Sequence, residues 1–213
     1  MKKYTLITLS IFFLNLLFLY FGIVNPITFT QLSQNPAKTL AKYQSLWNDT
    51  TIRKMPYTKK DYLLGDIIGT LTIPSLEIYE LPIYYGTTDE NKNWQITTPG
   101  YEENWQLFGE YGLTALGAHN YQLFHELPKV KPGEKFIVET PDDVYVYKVQ
   151  ESLVFHSKLE KWADTVYTGK KPYGVNLITC YPDNALNTPD RYVVYATLQK
   201  GTIFTQNLNS GKL

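Results

Sequence analysis

The chain has one cysteine, three histidines and no excess charge of either sign, and each shortage removes a class of explanation. With Cys180 as the single thiol, no disulfide can form within the chain. Scattered histidines beside one cysteine make no ligand cluster for a metal. No G-x-G-x-x-G or G-x-x-x-x-G-K-S/T loop is present to cradle a phosphate, so no cofactor is expected. Lys plus Arg and Asp plus Glu each number 20, and this balance gives no reason to expect nucleic acid or another polyanion as partner. Asp142-Asp143 and Glu102-Glu103 read as solvated acids in turns. Past residue 60, Ala/Leu/Glu-rich helical stretches are scarce, whereas 18 Tyr and 10 Phe in the chain favour strands. The aromatics read as barrel filling and strand-face packing.

One long apolar run is present. Residues 5–24 are broken only by Thr5, Thr8, Ser10 and Asn15, and about 20 such residues suffice to span a bilayer. Gly22-Ile23-Val24-Asn25-Pro26 is a poor signal-peptidase site. Lys2 and Lys3 precede the run and the next lysine is Lys38, which predicts a cytoplasmic N-terminus and an external body. The expectation is a single-pass cell-membrane protein in three parts. Residues 1–24 form a stub and signal-anchor helix, 25–60 an extracellular linker, and 61–213 the main β-barrel domain. Within the linker, Leu40, Tyr43 and Trp47 recur at helical spacing and predict a short amphipathic helix over 37–48.

From Leu64 onward short β-type runs alternate with turn residues. Strands are predicted at 67–73, 81–84, 113–118, 175–180 and 191–198, with 135–140 and 144–155 paired as a hairpin around Pro141-Asp142-Asp143. Residues 121–127 read as a helical turn. The stretch 87–111 reads as irregular, with Trp94 and Trp105 packed over a barrel mouth. Seven or so runs suit a closed or nearly closed barrel, which leaves few free edges.

In an exported body cysteines usually pair, so an unpaired Cys180 is an intermolecular bridge, a buried inert thiol or a reactive one. Its context favours the last. Val175-Asn176-Leu177-Ile178-Thr179-Cys180 delivers the sulfur to a strand end, and a Pro/Asp/Asn-rich loop leads to Arg191-Tyr192-Val193-Val194. Leu113-Thr114-Ala115-Leu116-Gly117-Ala118-His119 brings an imidazole to another strand end. A thiol near its free pKa is only a few per cent ionised at neutral pH and needs a neighbour that favours the thiolate. His119 can fill that role and later return a proton to a leaving amine. Arg191 can stabilise the charge that develops on an attacked carbonyl. His125 and His156 read as surface residues or neighbours of the site.

These residues resemble the sortases, membrane-anchored cysteine transpeptidases of Gram-positive bacteria. Asn176-Leu177-Ile178-Thr179-Cys180 matches all but the first position of the family's T-L-x-T-C, Leu116-Gly117-Ala118-His119 is similar to the approach to its histidine, and Arg191-Tyr192-Val193-Val194 to the strand opened by its arginine. The resemblance covers roughly residues 65–200. It implies a mostly β fold, a closed eight-stranded sortase-type barrel with short helices, with His119, Cys180 and Arg191 catalytic and Thr179 helping to bind substrate. It also implies cleavage of an L-P-x-T-G-like sorting signal between Thr and Gly through a thioester, then transfer to an amine. That amine belongs to a cell-wall precursor or, in pilus-building members, to a pilin lysine. The tight loop between Cys180-Tyr181-Pro182 and Arg191 is similar to class D, so class A or D is expected. Two rivals stand beside this reading. One is a noncatalytic anchored barrel binding a wall component through its aromatic face. The other is an L,D-transpeptidase-like enzyme, whose family has serine and glycine before its cysteine where this chain has Thr179.

Overall fold

The protein is described from a computed structural model covering residues 36–86, 96–100, 105–156, 170–182 and 188–205. A helix, α1 (Pro36–Gln44), leads into β1 (Ile52–Pro56). The strands that follow are β2 (Ile67–Ile73), β3 (Ile78–Tyr85), β4 (Ile96–Thr98), β5 (Leu113–Gly117), β6 (Lys135–Glu139), β7 (Val144–His156), β8 (Gly174–Tyr181) and β9 (Asp190–Thr205). Strand neighbours run β1-β9-β7-β6-β2-β3-β4-β5-β8, and β8 pairs back onto β9. Strands β2 to β9 thus close on themselves as an eight-stranded barrel, with β1 added at the far end of β9.

Alternation builds the core. On β8, Val175 and Leu177 point into the main cluster with Ile68, Leu71, Ile83 and Val194, as expected for successive side chains on opposite faces. Phe136 stacks on Tyr147 (5.4 Å) and Tyr147 on Tyr145 (6.4 Å) inside the barrel, so several of the tyrosines do fill it. Burial pushes the Tyr145 and Tyr147 hydroxyls well above the ordinary phenol range. Gly201, at φ +139, sits where a Cβ would come within 2.5 Å of the Tyr145 ring. The missing side chain lets β9 pass over that ring and continue into its pairing with β1, which begins at Ile52↔Gly201.

The structure departs from the sequence expectations at several elements. The segment 87–111, expected irregular, contains β4, a three-residue strand joining β3 to β5. Such a strand is too short to show alternation. Strand β9 runs to 16 residues, Asp190–Thr205, where 191–198 was expected, and its ladder to β7 carries register shifts. A bulge switches which residues face inward, so a single period-two pattern ends early. The predicted helical turn at 121–127 is a series of turns ending in a 3-10 helix, Leu127–Lys129. The expected linker is also revised. Residues from Pro36 belong to the same compact unit as the barrel, with Tyr43 1% exposed against Ile137 and Val146.

Among the described residues no helix is long and apolar enough to cross a membrane. The expected span at residues 5–24 lies outside the described residues, as do Trp94, Glu102, Glu103 and the loop residues Ala185, Leu186 and Asn187.

Candidate active site

Strands β5, β8 and β9 lie side by side, and their pairing sets the heights of the three candidate residues. Cys180 is the direct cross-strand partner of Arg191. Strand β5 pairs with β8 in parallel, the last pair being Gly117↔Ile178. The Ala118 N–H extends this ladder to the Ile178 carbonyl (3.3 Å). Two residues further along each chain are His119 and Cys180, so the imidazole-bearing residue leaves the sheet at the level of the thiol. Cys180 and Arg191 thus sit on adjacent strands, at the ordinary interstrand spacing of about 4.8 Å, and His119 follows the end of β5 beside β8.

Cys180 is a free thiol of intermediate exposure. It shares its face of β8 with Ile178, which packs on a second apolar cluster formed by Trp105, Leu113, Ala115, Phe155, Val193 and Tyr195. Trp105, expected over a barrel mouth, is therefore part of the apolar floor that continues from Cys180 along the outer face of the sheet. Asn176 lies on this face as well, fully buried, with neither Oδ1 nor Nδ2 bonded.

The Arg191 guanidinium is held locally. Its Nη1 donates to the Thr188 carbonyl (2.7 Å) and the Asp190 carbonyl (2.9 Å). Thr188 in turn donates its hydroxyl to the Tyr181 carbonyl (2.5 Å), tying the residue after Cys180 to the residue that anchors the cation. Both Arg191 bonds use one terminal nitrogen, which leaves donors of the fork for an incoming oxygen.

His119 is exposed, and the Tyr121 ring stacks on it at 4.8 Å and 19°. The His119 carbonyl accepts N–H bonds from Gln122 (3.2 Å) and Phe124 (3.3 Å), the latter anchored by a fully buried ring. Thr179 is 2% exposed and points to the barrel interior, opposite to Cys180. Its hydroxyl donates to the Ala118 carbonyl (2.8 Å), the peptide group that joins Ala118 to His119. Asn120, also 2% exposed, donates from Nδ2 to the Pro182 carbonyl (2.9 Å).

The other histidines have partners of their own. His125 is exposed, with Nδ1 2.6 Å from the Gln122 carbonyl and Nε2 3.1 Å from Glu126. His156 pairs across β7 and β9 with Asp190, at 3.8 Å from its Oδ1. Asn120, Tyr121 and Thr188 were not singled out from sequence. Their only signal was adjacency to His119 or Arg191, because what they touch is fixed by the return of distant loops.

A free thiol faces a guanidinium across β8 and β9, and an imidazole follows the end of the neighbouring β5; these are the kinds of group that acyl transfer through a thioester uses. Residues 71–199 match the family model described as a Sortase domain. Sortase A of Listeria monocytogenes is 26% identical over 147 residues, 68% of this chain and 62% of that protein, so the chain spans under two thirds of that relative. The crystal structure of Listeria monocytogenes sortase A matches with a TM-score of 0.52 at 26% identity, over 63% of this chain and 88% of its own. Clostridium perfringens sortase C, solved with the C-terminal cell wall sorting motif, matches with a TM-score of 0.55 at 25% identity, over 80% and 91%. Near-equal likeness to members of two classes fixes the family and leaves the class open.

Proposed function

The chain belongs to the sortase family, and from that premise we propose that it is a cysteine transpeptidase acting on the C-terminal sorting signals of exported proteins. The observation that carries this reading is the register that pairs Cys180 with Arg191 and sets His119 and Cys180 each two residues past the last β5–β8 pair, Gly117↔Ile178. The Cys180 thiolate attacks the Thr carbonyl of an L-P-x-T-G-like segment, and Arg191 stabilises the oxyanion. The Thr–Gly C–N bond breaks as the leaving amine takes a proton from the His119 imidazolium. A thioester to Cys180 remains. An acceptor amine attacks it, passes its proton to His119 and releases the thiolate as the C–S bond breaks. Thr179 supports the His119 loop in this scheme.

The proposed substrate class is supported by the sorting motif solved with Clostridium perfringens sortase C. The proposed acceptor is an amine of the cell-wall precursor. Residues 5–24 would hold the enzyme in the cell membrane, with its catalytic domain outside. The test offers L-P-x-T-G peptides to the full chain, with and without an amine acceptor, and follows products by mass. Cleavage and amine-dependent ligation are expected from the wild type. Both should fall at least a thousandfold in Cys180→Ala, the scale on which removal of a covalent nucleophile acts. Intact peptide from the wild type across several sorting sequences, or undiminished cleavage by Cys180→Ala, would overturn the reading.

A further inference from the structure

Strand pairing stops fixing positions where chemistry would begin. His119 lies two residues beyond the end of β5, and β8 ends at Tyr181, one residue after Cys180. Two side chains bridge the loops at this point. Thr179, just before the thiol, bonds the carbonyl just before His119 (2.8 Å), and Asn120, just after the imidazole, bonds the Pro182 carbonyl two residues past the thiol (2.9 Å). Both donor side chains belong to residues that are 2% exposed, while the acceptor carbonyls lie on half-buried Ala118 and exposed Pro182. Water can hydrate a carbonyl whose donor has been removed, but it does not restore the direct tie between the two loops.

We propose that Asn120 and Thr179 act together as a clasp that fixes the separation of the His119 ring and the Cys180 sulfur, which makes them positioning residues for the reacting pair. Each bond lies on a different side of both residues, so together they resist both sliding along the strands and rotation of the His119 loop. A single bond would leave one of these motions free. Neither side chain has to touch substrate for the clasp to act. The inference rests on the reading of Cys180 and His119 as the reacting pair, and its test can be separated from that reading.

Cys180 is the only thiol in the chain, so alkylation of the full chain by iodoacetamide reports on it without any peptide. The rate is measured in the wild type, His119→Ala, Asn120→Leu, and the double variant. If the clasp couples ring to sulfur, the rate change caused by His119→Ala shrinks by about tenfold in the Asn120→Leu background, as for residues that act through one another. Thr179→Val should give the same loss of coupling, and Thr179→Ser, which keeps the hydroxyl, should restore it. In peptide turnover, Asn120→Leu is expected to lower kcat about tenfold with KM changed less than about twofold, the split for a group that acts on the reacting pair and not on ground-state binding. Strictly multiplicative rate changes in the alkylation cycle, with folded variants, overturn the clasp even if the wild type processes sorting peptides. Lost coupling without any peptide turnover supports the clasp and overturns the transpeptidase reading instead. Should Asn120→Leu not fold, the near-isosteric Thr179→Val and Thr179→Ser pair decides the matter.

Discussion

His119 is an exposed residue whose ring still has a definite partner, the Tyr121 ring stacked on it at 4.8 Å. An aromatic face this close limits rotation of the imidazole and offers its π density to positive charge on the ring, an effect of about 0.5–1 kcal/mol at an exposed site. Tyr121→Ala is therefore expected to lower kcat/KM about two- to fivefold, while Tyr121→Phe keeps the wild-type value because the ring and not the hydroxyl makes the contact. Steady-state peptide turnover checks both. Equal losses in the two variants would assign the effect to the hydroxyl and remove the stacking argument. At this scale the sequence was informative where a residue ends a strand. Cys180, His119 and Arg191 each follow or open an apolar run, and strand pairing brings such ends together. Tyr121 and Asn120 carry no such mark, since a turn residue acquires a role only from the loop that folds over it.

Strand β8 shows how an element can serve the site at some cost to itself. Alternation puts Val175, Leu177 and Thr179 inside the barrel and Asn176, Ile178 and Cys180 outside. The Asn176 carboxamide is wholly buried with no bond at either end, at the position where the family motif has Thr. A buried amide without partners costs about 1–3 kcal/mol on protein scales. Asn176→Val, β-branched and without polar atoms, is thus expected to raise stability by about 1 kcal/mol, read as a higher denaturant midpoint with unchanged slope. A lower midpoint would mean that the carboxamide is satisfied in solution and that the packing argument fails. Element by element, runs with one uninterrupted face were legible. Strand β2 was located to the residue, and the hairpin of β6 and β7 was placed correctly. Strand β4 was hidden by its brevity, and the full length of β9 by bulges that reverse the facing of its side chains, whereas β7 was read to within one residue of its end. Strand β1 was missed for another reason. All five of its residues are exposed, so it shows no burial pattern, and it is held by its ladder to β9.

For the molecule as a whole, the largest revision concerns residues 36–57, which brace the barrel instead of merely tethering it. Strand β1 extends the far end of β9 over five residue pairs, and Arg53 bonds Asp143 at 2.5 Å. Lys135 reaches the Trp47 carbonyl, and Lys200 lies 3.4 Å from Asp49. Lys42 bridges Glu80 (3.0 Å) and Glu139 (2.7 Å), and the Tyr43 hydroxyl donates to Glu139 at 2.5 Å. The ten residue steps of β9 from Arg191 to Gly201 span up to about 33 Å, so the β1 end of this brace is remote from the site. A fragment that begins at residue 61 loses all of it, including Tyr43, whose burial alone is worth about 2–3 kcal/mol. Its melting temperature is expected to fall by roughly 10 °C relative to one that begins at residue 36, at about 2–4 °C per kcal/mol for a domain of this size. Turnover per folded molecule at low temperature should stay the same. The gap should also depend on pH. Burial by itself would raise the Glu139 carboxyl, but the bonds from Lys42 and Tyr43 outweigh it and hold the group below its ordinary value. Stability from that contact is present above the unfolded carboxylate range, near pH 4.3, and is lost as the pH falls through the lower folded value. Glu139 is partly exposed, so this share is less than about 1 kcal/mol, and the melting gap should narrow only modestly in acid. Equal melting temperatures for the two fragments at neutral pH would return residues 36–57 to the status of a linker.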